Sequence, residues 1–188
     1  MAKSTVPNDE KMQRIVLIGY MGAGKTTIGR VLARKMELEF FDLDWYVEAR
    51  YRMKIPQIFA ERGESGFREL ERLMLHEVCE MEDVVIACGG GTPCFFDNMD
   101  YINCQSESFY LKAEPEVLKA HLLMGKSQRP LIQGKSPDEL ISYIQSSLEI
   151  REPFYQKAKH VIPIDVIHTK AQINHYVDEI EKSLEFRV

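Results

Sequence analysis

Residues 19–26 read Gly-Tyr-Met-Gly-Ala-Gly-Lys-Thr, which is the pattern G-x-x-x-x-G-K-T. The stretch follows an apolar run at residues 15–18 and precedes apolar residues at helical spacing. A strand, a glycine-rich turn and a helix in this order are the context of a phosphate-binding P-loop. The glycines let backbone N–H groups turn towards an anion, and the positive end of the helix dipole faces the same point. We therefore predict a nucleotide-binding P-loop here; a chance glycine turn beside a surface lysine is the alternative.

The side chains of this loop have separate predicted roles. Lys25 supplies a charge that can reach the β- and γ-phosphates, and Thr26 offers a hydroxyl to Mg²⁺. The pattern therefore predicts a nucleoside triphosphate and Mg²⁺ as ligands. The residues that we expect to contact the nucleotide are Gly22, Ala23, Gly24, Lys25, Thr26 and Thr27.

Length and composition indicate one globular domain. The chain has 188 residues, of which 45% are hydrophobic and 28% are charged. Its net charge of −5 argues weakly against a nucleic-acid-binding protein, which would carry a basic face. A local site for small anions remains compatible with this charge, because a few arginines suffice to form one.

The cysteines and the apolar runs predict the cellular setting. The four cysteines form no C-x-x-C pair and have no histidine at zinc-ligand spacing, so we expect reduced thiols and a cytoplasmic protein. Residues 1–13 lack the apolar segment of a signal peptide, and no apolar run approaches the length of about 20 residues that spans a membrane. We expect neither a membrane nor a nucleic-acid partner. We also expect a monomer, because no exposed apolar stripe demands a second chain.

Strands and helices alternate along the sequence. Apolar runs without alternation predict strands buried on both faces, at residues 14–19, 39–43, 84–88, 108–111 and 161–165. Apolar spacing and N-terminal signals predict the helices. The helix after the P-loop ends near residue 35, and the others span about residues 44–53, 55–61, 63–81, 114–124, 137–157 and 170–184. This order predicts an α/β protein with a five-stranded parallel sheet and helices on both faces. Ligands of such sheets bind at the carboxyl ends of the strands.

Two carboxylates follow the second predicted strand. Asp42 and Asp44 are two residues apart, so on an extended chain they project to the same side. Beside a P-loop, one can support Mg²⁺ and the other can hold an acceptor hydroxyl and take its proton. The alternative is that Asp44 caps the following helix and its neighbour is merely solvated.

A glycine triplet and three arginines are further candidates. Gly89, Gly90 and Gly91 end the third predicted strand, where a plain turn needs fewer glycines, so we expect their backbone to approach a ligand closely. Arg129 lies in a polar loop and can act as a lid arginine that closes over phosphates, or it can be solvated. The surroundings of Arg68 and Arg151 in the sequence favour an ordinary surface arginine and a helix-dipole partner respectively. The five histidines form no catalytic pair and are interpreted as structural or surface groups.

Taken together, these pieces resemble the shikimate kinase family over about residues 14–184. The matching stretches, in order, are residues 19–26, Phe41-Asp42-Leu43-Asp44 with Glu48, residues 63–71, residues 89–91, Arg129-Pro130-Leu131 and Arg151-Glu152-Pro153-Phe154-Tyr155. A P-loop alone is shared by many unrelated NTPases, whereas this ordered set with its spacing is far more specific.

The resemblance implies a three-layer α/β/α P-loop kinase fold, a substrate-binding segment at about residues 43–81 and a mobile lid at about 122–136. It also implies ATP- and Mg²⁺-dependent phosphorylation of the shikimate 3-hydroxyl in the route to aromatic amino acids. By the same resemblance, Asp44 is the base that holds the acceptor hydroxyls and Asp42 supports the metal. Arg68 and Arg151 grip the shikimate carboxylate, the glycine triplet borders that pocket, and Arg129 meets the phosphates. Two guanidinium forks suit a planar carboxylate.

The chain departs from the family pattern near the lid. Many members carry an arginine where this chain has His121 and Met124, and Lys126 is a candidate replacement. The alternatives are a related small-molecule kinase such as a gluconate or nucleoside monophosphate kinase, a regulatory GTP switch, and an inactive P-loop binding module. No Asn-Lys-x-Asp guanine motif is present, and the intact Lys25 and Thr26 argue against the inactive module.

Overall fold

A five-stranded parallel sheet forms the centre of the computed structural model, which describes residues 13–125 and 134–185. The strands are β1 (Arg14–Ile18), β2 (Glu39–Asp42), β3 (Val84–Ala87), β4 (Glu107–Ala113) and β5 (His160–Ile164). Their order across the sheet is β2-β3-β1-β4-β5, and each neighbouring pair is parallel. The prediction of a five-stranded parallel sheet is thus confirmed.

Helices cover both faces of this sheet. They are α1 (Lys25–Lys35), α2 (Leu43–Tyr51), α3 (Ile55–Cys79), α4 (Asn98–Gln105), α5 (Pro115–Met124), α6 (Pro137–Tyr155) and α7 (Lys170–Glu185). The β1-to-β2 connection runs across the sheet in the direction opposite to the later ones, so right-handed crossovers place α1 on one face and α3 to α6 on the other. The helix α7 packs beside α1, where Lys35 Nζ lies 2.6 Å from Asp178 Oδ1. This arrangement gives the three layers expected from the sequence.

The central strands are buried on both faces, as their unbroken apolar runs predict. Ile15, Val16, Leu17 and Ile18 of β1 are at most 1% exposed, and all residues of β3 are buried. On one face of the sheet, α1 contributes Ile28, Leu32 and Ala33 to the same core. The sheet is therefore a rigid platform for the loops that leave its strands.

Two stretches differ from the predicted elements. The predicted helices 55–61 and 63–81 form one helix, α3, with a break at Gly63, whose φ of 66° favours glycine. The short 3-10 helix Thr92–Cys94 and the helix α4 were not predicted, so the sequence interpretation missed them. Helix α4 has only 8 residues and no side-chain N-cap, and only Asn98, Met99 and Ile102 are buried, which is too short a pattern to read.

The sheet register brings the carboxyl ends of three strands together. Ala87 of β3 pairs with both Leu17 of β1 and Asp42 of β2. The P-loop, the aspartate pair and the glycine triplet therefore leave one edge of the sheet, as the strand order predicts. Of the helices in the described ranges, none is both long and apolar enough to cross a membrane.

Candidate active site

A cleft of about 1230 Å³ opens at this edge of the sheet. Among the described residues predicted to form the site, only Ala23 does not line the cleft: its side chain is buried in the core, and its N–H donates to the Tyr20 carbonyl at 3.1 Å. The residues that do line it are Gly22, Gly24, Lys25, Thr26, Thr27, Asp42, Asp44, Arg68, Gly89, Gly90, Gly91 and Arg151. The tertiary structure thus gathers the candidates from five separate segments at one place.

The P-loop has the backbone geometry of an anion site. Gly19, Gly22 and Gly24 have φ values of 141°, 87° and 91°, a region that other residues rarely adopt. Gly24 precedes α1 without any side-chain cap, and the first turn of α1 carries no acidic residue. The N–H groups and the dipole of this helix end are therefore available to a phosphate. The buried Lys25 Nζ donates to the carbonyl oxygens of Gly19 and Tyr20 at 2.8 and 2.9 Å.

Thr26 and Asp42 are hydrogen-bonded to each other near the P-loop. The Thr26 hydroxyl donates to Asp42 Oδ2 at 2.8 Å. Asp42 is also the N-cap of α2, since its Oδ1 accepts from the Trp45 N–H at 3.4 Å. The capping aspartate is therefore Asp42 and not Asp44, contrary to the alternative considered from the sequence, because α2 begins at Leu43.

Asp44 lies in the first turn of α2 and faces the glycine triplet. A Cβ atom added to Gly89 would lie 2.8 Å from Asp44 Oδ1, so the carboxylate rests directly against this backbone. Asp42 and Asp44 line the same cleft. The sequence interpretation assumed an extended chain between them, but Leu43 is already helical, so that assumption is wrong. The strand end supplies one carboxylate and the helix start supplies the other.

Arg68 is held rigidly and is no ordinary surface arginine. Its Nη1 donates to Glu71 Oε2 at 2.7 Å, its side chain is 12% exposed, and its guanidinium lies 4.1 Å from the centre of the Phe95 ring. Glu71 is 1% exposed and also accepts from the Thr92 hydroxyl at 2.6 Å. Because a buried carboxylate must be paired, Glu71 fixes the direction of the Arg68 fork.

Arg151 and Tyr155 lie one helical turn apart at the end of α6. The Arg151 guanidinium sits 5.5 Å from the centre of the Tyr20 ring and lines the cleft near Gly90. The Tyr155 hydroxyl donates to the Gly90 carbonyl and is hydrogen-bonded to Arg151. Burial raises the pKa of Tyr155, so this phenol stays a neutral donor. Arg151 thus faces the cleft, whereas its sequence position suggested a partner for the helix dipole.

The combination of a P-loop, an aspartate pair and two cleft arginines can be compared with known proteins. The family model described as shikimate kinase matches residues 21–183. The chain belongs to the shikimate kinase family. A shikimate kinase of Phocaeicola vulgatus is 55% identical over 173 residues, which cover 92% of this chain and 99% of the relative.

Solved shikimate kinase structures agree with the fold. The one from Bacteroides thetaiotaomicron has a TM-score of 0.90 at 49% identity, covering 93% of this chain and 99% of its own. The one from Acinetobacter baumannii, in complex with shikimate, has a TM-score of 0.80 at 31% identity, covering 95% and 97% of the two chains. The P-loop kinase fold implied by the resemblance is therefore confirmed.

Sequence reasoning missed three residues that shape this shikimate kinase site. Glu71 and Tyr155 lie within stretches that match the family, but the sequence does not indicate their roles, and His121 is one of five scattered histidines. The i,i+3 spacing of Arg68 and Glu71 was a usable signal, since such pairs meet on one helix face. Arg129, Lys126 and most of the predicted lid at 122–136 lie outside the described residues.

The thiols of this shikimate kinase family member give a direct prediction. Burial raises the pKa of Cys79 to about 12 and that of Cys94 to about 11, and it also raises the pKa of Cys88. Cys104 is exposed. Because the thiolate is the reactive form, we expect Cys104 to react with a disulfide reagent at pH 8 at least about 100-fold faster than the other three. The difference is measured on the native protein from the time course of the absorbance of the thiol that the reagent releases.

A Cys104→Ser variant is the control for the thiol experiment. It should lose the fast phase and keep the slow ones, while the denatured wild-type chain should titrate all 4 thiols. A second fast phase in the native wild type would contradict the prediction that Cys79, Cys88 and the half-buried Cys94 all react slowly.

Proposed function

We infer that this chain transfers the γ-phosphoryl group of ATP to the 3-hydroxyl of shikimate, giving shikimate 3-phosphate and ADP. The observation that carries the inference is one cleft that holds a P-loop lysine, Asp44 and two arginines. The acceptor needs a carboxylate and a hydroxyl within reach of a phosphoryl donor, and these groups supply both requirements. Family membership points to the same acceptor, and gluconate kinase chemistry is not favoured.

On the nucleotide side, the P-loop amides and Lys25 hold the triphosphate. The N-terminus of α1 and the Lys25 charge together stabilise the negative charge on the phosphates. Thr27 and Gly22 line the same part of the cleft. The predicted contact at Ala23 is limited to its backbone, since its side chain lies in the core.

Thr26 and Asp42 would hold Mg²⁺. A hydroxyl and a carboxylate oxygen, already 2.8 Å apart, are the hard ligands that this ion prefers. The described residues contain no group of three or more His, Cys, Asp or Glu side chains placed for a metal ion, and kinase sites complete the Mg²⁺ shell with phosphates and water. When bound, the ion neutralises charge on the transferring phosphoryl group.

On the acceptor side, Arg68 and Arg151 bind the shikimate carboxylate. Asp44 orients the acceptor hydroxyl and takes its proton as the phosphoryl group transfers. The backbone of Gly89, Gly90 and Gly91 forms the adjoining wall, which Tyr155 keeps in place through the Gly90 carbonyl. Asp44 is therefore the proposed base, and the two arginines determine acceptor specificity.

We further propose that a lid at about residues 122–136 closes over the site and brings Arg129 to the phosphates. Closure would exclude water, which would otherwise compete as the phosphoryl acceptor. This role of Arg129 remains a prediction, since the residue lies outside the described ranges.

The remaining proposals concern the chain as a whole. We propose a single P-loop kinase domain with a substrate-binding segment at about residues 43–81, working as a cytoplasmic monomer on small molecules, without a nucleic-acid or membrane partner. The free thiols support the cytoplasmic location, and the net charge of −5 argues weakly against a nucleic-acid partner. Light scattering of the purified chain tests the monomer.

A coupled ADP-release assay tests the proposed reaction. ATP and Mg²⁺ are supplied with shikimate, gluconate, AMP or no acceptor, and each mixture is repeated with EDTA. We expect turnover with shikimate alone and only in the presence of the metal. Turnover with another acceptor would refute the acceptor pocket and leave the P-loop assignment intact. Nucleotide binding without turnover would instead support the inactive binding module.

The contact between Gly91 and Arg68 gives a second prediction. Gly91 has φ −92°, which alanine adopts without strain, but its new Cβ would lie 2.7 Å from Arg68 Nη2. Gly91→Ala should therefore displace the guanidinium and raise KM for shikimate about tenfold, because a charged hydrogen bond of this kind contributes that much binding energy. KM for ATP should change less than about twofold.

A double-mutant cycle identifies the cause of that effect. If Gly91→Ala acts through Arg68, adding it to an Arg68→Ala variant should leave KM for shikimate unchanged. Additive losses would show that the glycine contacts the acceptor by another route.

A further inference from the structure

His121 joins two separate walls of the cleft. It lies in the last turn of α5, and its Nδ1 is 2.7 Å from the carbonyl oxygen of Gly22 in the P-loop. Its Nε2 is 2.8 Å from the backbone nitrogen of Ile167, in the segment between β5 and α7. Gly22, His121 and Ile167 all line the cleft. One imidazole therefore connects three elements that are far apart in the sequence.

The two partners determine the protonation state of this ring. A backbone N–H can only donate, so Nε2 must accept from Ile167 and carries no proton. A carbonyl oxygen can only accept, so Nδ1 must carry the proton and donate to Gly22. Both hydrogen bonds form together only in the neutral imidazole with its proton on Nδ1.

Apolar contacts reinforce the same junction. A Cβ added to Gly22 would lie 3.2 Å from Leu122 Cγ, and one added to Gly24 would lie 3.4 Å from Ile167 Cδ1. Leu122 and Ile167 therefore lie beside the P-loop glycines at a distance that leaves little space for a side chain there. The imidazole is the polar link of this packed contact.

We propose that His121 is a positioning residue for nucleotide binding. Its two hydrogen bonds hold the Ile167 segment at a set distance from the P-loop. The inference rests on the proposed function in one respect, namely that the P-loop binds the triphosphate. Residues 167–170 line the cleft on the far side of the P-loop from the aspartate pair. In this proposal they form the wall that meets the nucleoside part of ATP. A pre-organised distance between the two walls lowers the cost of binding a ligand that touches both, and leaves a ligand that touches only the P-loop unaffected.

Calorimetric binding of two ligands to the intact chain tests this proposal. ATP contacts both walls, whereas tripolyphosphate contacts the P-loop alone. His121→Ala should weaken ATP binding about tenfold and tripolyphosphate binding less than about twofold. His121→Gln offers an N–H donor and an oxygen acceptor, so it should recover most of the ATP affinity. KM for shikimate should be unchanged in both variants. His175→Ala, on the exposed face of α7, is the control and should leave both affinities at the wild-type values.

Equal weakening of ATP and tripolyphosphate, or no weakening of either, would overturn the proposal. The ¹⁵N chemical shifts of the His121 ring in the ligand-free wild type give an independent test, which does not depend on how any variant folds. A proton on Nδ1 is expected, and a proton on Nε2 would refute the bridge. If wild type fails to phosphorylate shikimate, the proposed function fails, but the ring shifts still decide whether the bridge exists.

Discussion

Asp44→Asn is expected to lower kcat by about 10²–10⁴-fold, the usual contribution of a general base. Asparagine has the same shape and can still hydrogen-bond to an acceptor hydroxyl, but it cannot take the proton. The carboxylate lines the cleft and rests against the Gly89 backbone, so asparagine can occupy the same position. KM for both substrates should therefore change only a few-fold. Steady-state kinetics with shikimate and ATP measure these constants.

Asp100→Asn is the matched control for this variant. Asp100 is also an acidic residue in the first turn of a helix, α4, but it is solvent-exposed. Both substitutions lose the same small interaction with a helix dipole, so any difference between them reports the position in the cleft. A normal kcat for Asp44→Asn would remove the base from the mechanism while leaving the fold and the P-loop assignment intact.

Lys25→Met is expected to lower kcat/KM for ATP on the order of 10³-fold, as the loss of a charge aimed at the transferring phosphoryl group does in comparable sites. Methionine preserves the apolar stem and removes only the ammonium group. That group is buried at the P-loop and donates to two of its carbonyls, so the loop itself holds the ammonium group in place. Initial rates at varied ATP concentration measure the loss.

Lys35→Met, at the other end of the same helix, is the control. Its ammonium group is 47% exposed and pairs with Asp178 on α7, away from the cleft. It should keep wild-type kinetics, and thermal unfolding of both variants separates a loss of stability from a loss of chemistry. Undiminished turnover in Lys25→Met would refute the P-loop mechanism altogether.

The fold was predictable because its signals are local. Apolar runs without alternation, such as residues 84–88, predict a buried parallel strand, and Gly63 separated two helical patterns where α3 does break. Helix α4 was missed because its burial depends on contacts that no short pattern reveals. Its Asn98 is buried, and the amide of that side chain donates at 2.8 Å to the Thr92 carbonyl, which lies outside the helix.

The candidate site was predictable in part. The P-loop could be located from its own spacing, because the phosphate site is built by consecutive backbone groups. The arginines could not be assigned in this way, since Arg68 and Arg151 look like surface residues until their partners are known. Only the resemblance to a family, carried by the order of several motifs, predicts that they bind the acceptor.

The sequence by itself determined the alternation of strands and helices, the edge of the sheet where the site lies, and the phosphate-binding loop. Each of these follows from residues that are close together in the chain. The tertiary structure alone decided that Asp42 caps α2, that Glu71 orients Arg68, that Tyr155 supports Gly90 and that His121 links Gly22 to Ile167. The physical reason is that a hydrogen bond between distant segments depends on how helices pack on the sheet, and a local pattern does not contain that information.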